Sequence, residues 1–148
     1  MKYFTMAEMT RSATAQRLGI DNSPTVAQRQ NITDLVDILL DPIRAAWGGP
    51  IVVNSGFRCK ELNAIVGGAA GSQHTKGQAA DIECTSRKES DNKRLFDMIR
   101  NMNLPFDQLI NEYGYNWIHI SYAPHGRHRV LEAKKVNGRT VYTDITGR

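Results

Sequence analysis

The sequence predicts an α+β fold, with helices in the first third of the chain packed on a largely antiparallel sheet. Three observations predict it. Ile32, Leu35, Val36, Leu39, Leu40 and Ile43 recur at helical spacing. Short β-branched or alternating runs follow at residues 51–55, 78–84, 106–112 and 116–122. Asn137-Gly138 then stands between two strand-like runs, the strongest short-range hairpin signal. Helices first and strands later, with local connections, fit segregated layers better than a parallel βαβ array.

In chain order, Thr5 is expected to cap a helix running to a Gly19 stop, with Glu8 at the capping-box position. Ser23 is expected to cap a second helix with Pro24 at its first position, where a missing N–H costs nothing. Pro42 should kink or restart that helix, and Trp47 ends it before Gly48-Gly49-Pro50. Ile51–Ser55 reads as a strand. Residues 59–68 read as a short helix closed by Gly67 and Gly68. Residues 78–84 form a second strand. Ser86 should cap an amphipathic helix, with Glu89 three positions on and Leu95, Phe96, Ile99 and Met102 facing inward. Residues 106–112 and 116–122 are strands joined by a turn around Gly114.

The chain has 148 residues, 41% hydrophobic and 23% charged, which predicts one soluble domain over residues 1–148. No apolar run approaches the roughly 18 residues of a membrane span, and the N-terminus has no secretory h-region. Two cysteines, Cys59 and Cys84, make no disulfide scaffold and are read as free thiols. The net charge is +4. Basic residues are not clustered with aromatics, so no nucleic-acid surface is expected.

The chemistry concentrates in GSQHTKGQAADIE, Gly71 to Glu83. On a strand, Ala79, Asp81 and Glu83 share one face, and small Ala79 leaves room beside Asp81. Gly77 permits the bend that returns His74 to that face. Imidazole and carboxylate converging on one point are what zinc requires. The third ligand must come from His119, His125 or His128. In Trp117–Ser121 the core face belongs to Ile118 and Ile120, so His119 points to the opposite face. His125 and His128 follow a Pro/Gly turn at a poor ligand spacing.

The spacing of these residues resembles the zinc D-alanyl-D-alanine carboxypeptidase family, metallopeptidase family fifteen. SQHTKGQAADI matches its Ser-x-His-x-x-Gly-x-Ala-x-Asp signature, WIHIS its Trp-x-His signature, and SGFRCKELN its upstream Ser-Gly-Phe-Arg…Asn segment. The hedgehog signalling domain shares that fold and metal geometry. The resemblance covers nearly the whole chain and is nearest to the short phage and prophage members.

The resemblance implies Zn2+ held by His74, Asp81 and His119, with a water in the fourth position. It implies Arg58 on a substrate carboxylate or oxyanion, and Ser72 on substrate or ordering its loop. It implies hydrolysis of a peptidoglycan stem peptide, either D-Ala-D-Ala carboxypeptidase or L-Ala-D-Glu endopeptidase in type. An endolysin-like monomer is expected, held in the host cytoplasm until release or carried on the virion, with no nucleic-acid or membrane partner.

The sequence departs from the family pattern at the general base. Many relatives have Glu or Asp three residues before the last zinc histidine, where this chain has Asn116, which cannot take a proton. Glu112 is the substitute if it pairs across the hairpin with Trp117, and is misdirected if it pairs with Asn116. Glu83 is the runner-up. With no working base, the alternative is a non-catalytic zinc-containing module that binds cell wall or serves a structural role.

Overall fold

Thr5 and Glu8 form the reciprocal capping box, each side chain accepting the other's backbone N–H. The helix they start is short. The computed structural model describes residues 1–148 and resolves the N-terminal segment into α1 (Met6–Thr10) and α2 (Ala13–Leu18). This corrects the expected single helix over 5–19. Arg11 turns extended, and the Ser12 hydroxyl accepts the Ala15 N–H, starting a new helix in place of the old one. Gly19 ends α2 in the left-handed conformation, as expected.

The cap of α3 (Val26–Leu35) is Thr25, not Ser23. Thr25 and Gln28 close a second capping box, while the Ser23 N–H is taken by Asp21 in the preceding turn. Pro24 therefore lies outside the helix. The α3 helix continues through a π-helical turn, Val36–Leu40, into α4 (Asp41–Trp47). Pro42, in the first turn of α4, cannot donate to the carbonyl four residues back, and its ring crowds that carbonyl. The widened turn accommodates both effects, and α4 restarts around Pro42 as expected.

Beyond Gly48 come β1 (Ile51–Ser55), α5 (Lys60–Ile65), β2 (Ala79–Cys84), α6 (Glu89–Asn101), β3 (Gln108–Glu112), β4 (Trp117–Ser121), β5 (Arg129–Val136) and β6 (Arg139–Asp144). The cap of α6 is Lys88, not Ser86. Ser86 instead organises the preceding turn, accepting the Lys88 N–H and donating to Asp91. Leu95, Phe96 and Ile99 are buried as expected, and Met102 packs half-buried at the edge of the same core.

The strands form one sheet in the order β1-β2-β4-β3-β5-β6. Every neighbouring pair is antiparallel except β3–β5. Asn137 and Gly138 both take positive φ, 51° and 77°, the type I′ turn their identities predict. One face of the sheet carries Ala80, Ile82, Leu109, Ile118, Ile120 and Val130 into a core shared with Leu35, Leu39, Ile43, Phe96 and Ile99. The other face carries a small apolar cluster, Ile110, Leu131 and Ala133. Beside that cluster it presents its charged residues to a cleft. No helix is long and apolar enough to cross a membrane.

Candidate functional site

Asp81 on β2 stands directly opposite His119 on β4 in the antiparallel register. Because opposed residues project to the same face, the pairing alone brings carboxylate and imidazole together, with His119 Nδ1 3.0 Å from Asp81 Oδ1. His74 arrives from a different direction, on a single 3₁₀ turn, Gln73–Lys76. Gly77 closes that turn at φ 76°, and a Cβ there would lie 2.7 Å from the Gln28 carbonyl oxygen. The turn is tied to α3 by the Gln28 and Asn31 side chains, which donate to the Thr75 and Lys76 carbonyls. Ser72 accepts the His74 N–H.

These constraints place His74 Nε2 3.4 Å from the same Asp81 oxygen. One donor atom from each of His74, Asp81 and His119 lies within 4.8 Å of the others. Two ligands at roughly 2.0–2.1 Å from a tetrahedral metal such as zinc stand about 3.3 Å apart, so these two separations suit one metal ion shared by the three residues. His74 is further prepared for that task. Its Nδ1 lies 2.7 Å from the Gly56 carbonyl oxygen. An N–H donated there leaves the lone pair on Nε2, facing Asp81. Burial alone would raise the Asp81 carboxyl. Hydrogen bonds from His119 and His74, and their charge when protonated, hold it well below the usual carboxylate range.

Around this cluster opens a cleft of about 1030 Å³ whose walls include Arg58, Ser72, Glu112 and Trp117. Arg58 follows β1, and its backbone N–H is fixed by the His74 carbonyl. Its Nε is buried without a partner. Desolvation lowers its pKa, against the opposing pull of Asp81. A guanidinium held this way has donor capacity to spare. Glu112 pairs with Trp117, not Asn116, so its carboxyl shares the face of His119. It is 7% exposed. Burial, opposed by His119 and reinforced by Asp81, raises it to about 6.

Asn116 is exposed in the β3–β4 turn and does not line the cleft. Glu83 is likewise outside it, engaged by Asn54, Arg87 and Asn92. His128 stacks on Phe106 at 4.2 Å, and neither it nor His125 joins the metal cluster. Cys59 and Cys84 are free, as expected.

Two contributions escaped the sequence reading. Asp107, 3% exposed, accepts from the Arg127 guanidinium and backbone N–H and from Gln73, clamping the His74 turn to the chain entering β5. The β5–β6 hairpin supplies Arg129, Lys135, Thr140 and Tyr142 to the far wall of the cleft. Strand alternation hinted at which hairpin residues share a face, but not that β5 lies parallel to β3.

Residues 2–121 match the family described as Peptidase M15, a match that takes in every residue of the metal cluster together with Arg58, Ser72 and Glu112 and stops before the hairpin. Among curated proteins the chain has no match.

Proposed function

Because this chain belongs to the Peptidase M15 family, a family of metallopeptidases, we propose that it is a zinc-dependent peptidase that hydrolyses the stem peptide of peptidoglycan. The observation that carries this reading is the convergence of His74, Asp81 and His119 beside the buried, unpaired carboxyl of Glu112. Zinc held by these three residues would supply Lewis acidity toward the scissile carbonyl and increase the acidity of a water.

In this reading Glu112 takes the proton of the attacking water and passes it to the leaving amine. A carboxyl near pKa 6 suits both halves of that transfer at neutral pH. Arg58 presents its planar fork to the substrate carboxylate or to the oxygen that gains charge. The Ser72 oxygen already accepts the His74 N–H, and its own O–H is left to donate to substrate. In this reading the hydroxyl both orders the His74 turn and contacts substrate.

Two bonds fit the reading, the terminal D-Ala-D-Ala bond of a carboxypeptidase and the L-Ala-D-Glu bond of an endopeptidase. The setting we propose is that of a phage or prophage endolysin, monomeric, held in the host cytoplasm until release or carried on the virion. The motif resemblance supports it. The test is mass spectrometry of purified peptidoglycan after incubation with and without a zinc chelator. Chelator-sensitive fragments are expected, and their masses name the bond. Zinc-loaded protein that releases nothing from several wall chemotypes would favour a non-catalytic wall-binding module.

A further inference from the structure

The sheet register that positions Glu112 continues outward. Glu112 on β3 stands beside Ala133 on β5, and Ala133 beside Tyr142 on β6. Residues in one such row point to one face, here the cleft. Adjacent strands lie about 4.8 Å apart, so the Glu112 and Tyr142 backbones are separated by roughly 10 Å. Only the methyl of Ala133 stands between them, and a phenol reaches well across that gap. Ala133 is fully buried although it faces the cleft, as it must be if larger neighbours lie over it. Tyr142 itself is 55% exposed and lines the cleft.

Of the two tyrosines that line the cleft, Tyr142 is the one whose hydroxyl has no hydrogen-bond partner in the protein. Of the five tyrosines, Tyr3 lies beneath Arg44, Tyr115 packs edge-on against Phe96, and Tyr122 packs on the main core. Tyr113 also lines the cleft, but its hydroxyl shares a 2.7 Å hydrogen bond with Thr140. Partial desolvation, then Glu112, Tyr113 and Asp81, raise the Tyr142 phenol above its ordinary value. It therefore remains an O–H donor throughout the neutral range.

Building on the peptidase reading, we propose that Tyr142 is a substrate-contacting residue of this site, its phenol O–H donating a hydrogen bond to a substrate carbonyl held between the Glu112 carboxyl and the hairpin wall. The hairpin is then a working part of the active site and adds a contact from outside the matched family segment.

The test separates contact from turnover. Zinc-loaded Glu112→Gln protein is titrated calorimetrically with a purified stem pentapeptide, with and without Tyr142→Phe. The ring stays and the hydroxyl makes no hydrogen bond to the protein, so zinc content and Tm should be unchanged. Loss of one substrate hydrogen bond should weaken binding roughly threefold to tenfold. Equal affinities overturn the contact. Cleavage of the same peptide by the wild-type protein is measured in parallel. Cleavage with equal affinities removes Tyr142 and leaves the peptidase. Neither cleavage nor binding removes the peptidase reading and the Tyr142 contact with it.

Discussion

Glu112 stands opposite Trp117 across the β3–β4 pair. This one register decides which face its carboxyl occupies. A shift to Asn116 would turn the carboxyl into the helical core and leave Asp81 as the cleft's one acid. The turn that sets it is unusual. Tyr113, Gly114 and Tyr115 all take positive φ, and Asn111 holds the turn by accepting the Tyr115 N–H. Local backbone geometry thus keeps the Glu112 carboxyl in the cleft, although position 116 is Asn.

The pH dependence follows from the burial of Glu112. The base of the proposed mechanism works as the carboxylate, so kcat/KM should fall about tenfold per unit as pH drops below the pKa of Glu112, which burial raises and a bound zinc cation would lower. Stability of the metal-free protein should move oppositely. A folded pKa above the unfolded value means the native state holds a proton that the unfolded chain releases. The contribution is full below 4.5 and lost as pH rises through about 6. Metal-free Glu112→Gln should therefore melt higher than wild type at pH 7–8, with the gap closing below pH 4.5. Thermal melts across pH read this directly.

Gly56→Ala should damage fold and metal site together. A Cβ at Gly56 would lie 2.3 Å from the Met9 carbonyl oxygen, a backbone atom that cannot swing away. The strain should cost about 1–3 kcal/mol. Displacing the Gly56 carbonyl also removes the partner of His74 Nδ1, which should weaken zinc binding roughly 10- to 100-fold. Competition with a chelating dye measures the second effect, and denaturant unfolding the first.

Asp107→Ala should destabilise the protein by about 1–2 kcal/mol, because it removes the acceptor of three Arg127 hydrogen bonds, which water replaces only in part at that half-exposed guanidinium, and frees Gln73 beside His74. The Arg127 hydrogen bonds, with help from Gln73, outweigh burial and push the Asp107 carboxyl down to about 2. Its contribution is present above the unfolded value of 3.8 and lost as pH falls through about 2. Wild type and variant should therefore converge in Tm in strong acid and differ at neutral pH.

Much of the site was legible in the sequence. The alternation of Ile118 and Ile120 with Trp117 and His119 fixes which face His119 takes. The Gly77 bend and the small Ala79 do the same for His74 and Asp81. The turn length before Trp117 was not legible, because tyrosines in left-handed positions leave no sequence signature, so the Glu112 register stayed conditional. Nor was the parallel β3–β5 pairing, which depends on long-range packing and brings Tyr142 into the cleft. Helix starts were misread where two capping residues compete. Ser12 interrupts the first helix, and Thr25 with Gln28 outcompetes Ser23, because the full capping box satisfies two backbone N–H groups. At α6 the structure starts the helix after Lys88 and leaves Ser86 in the turn.

The central claim is that Glu112 is the proton carrier of a metal-dependent peptidase. It is tested most directly by single-turnover cleavage of peptidoglycan by zinc-loaded wild type and Glu112→Gln, with zinc content measured in the same samples. Equal zinc and a rate lowered by at least about 100-fold in the variant are expected. Equal zinc with an unchanged rate would contradict this role and remove Glu112 from the chemistry.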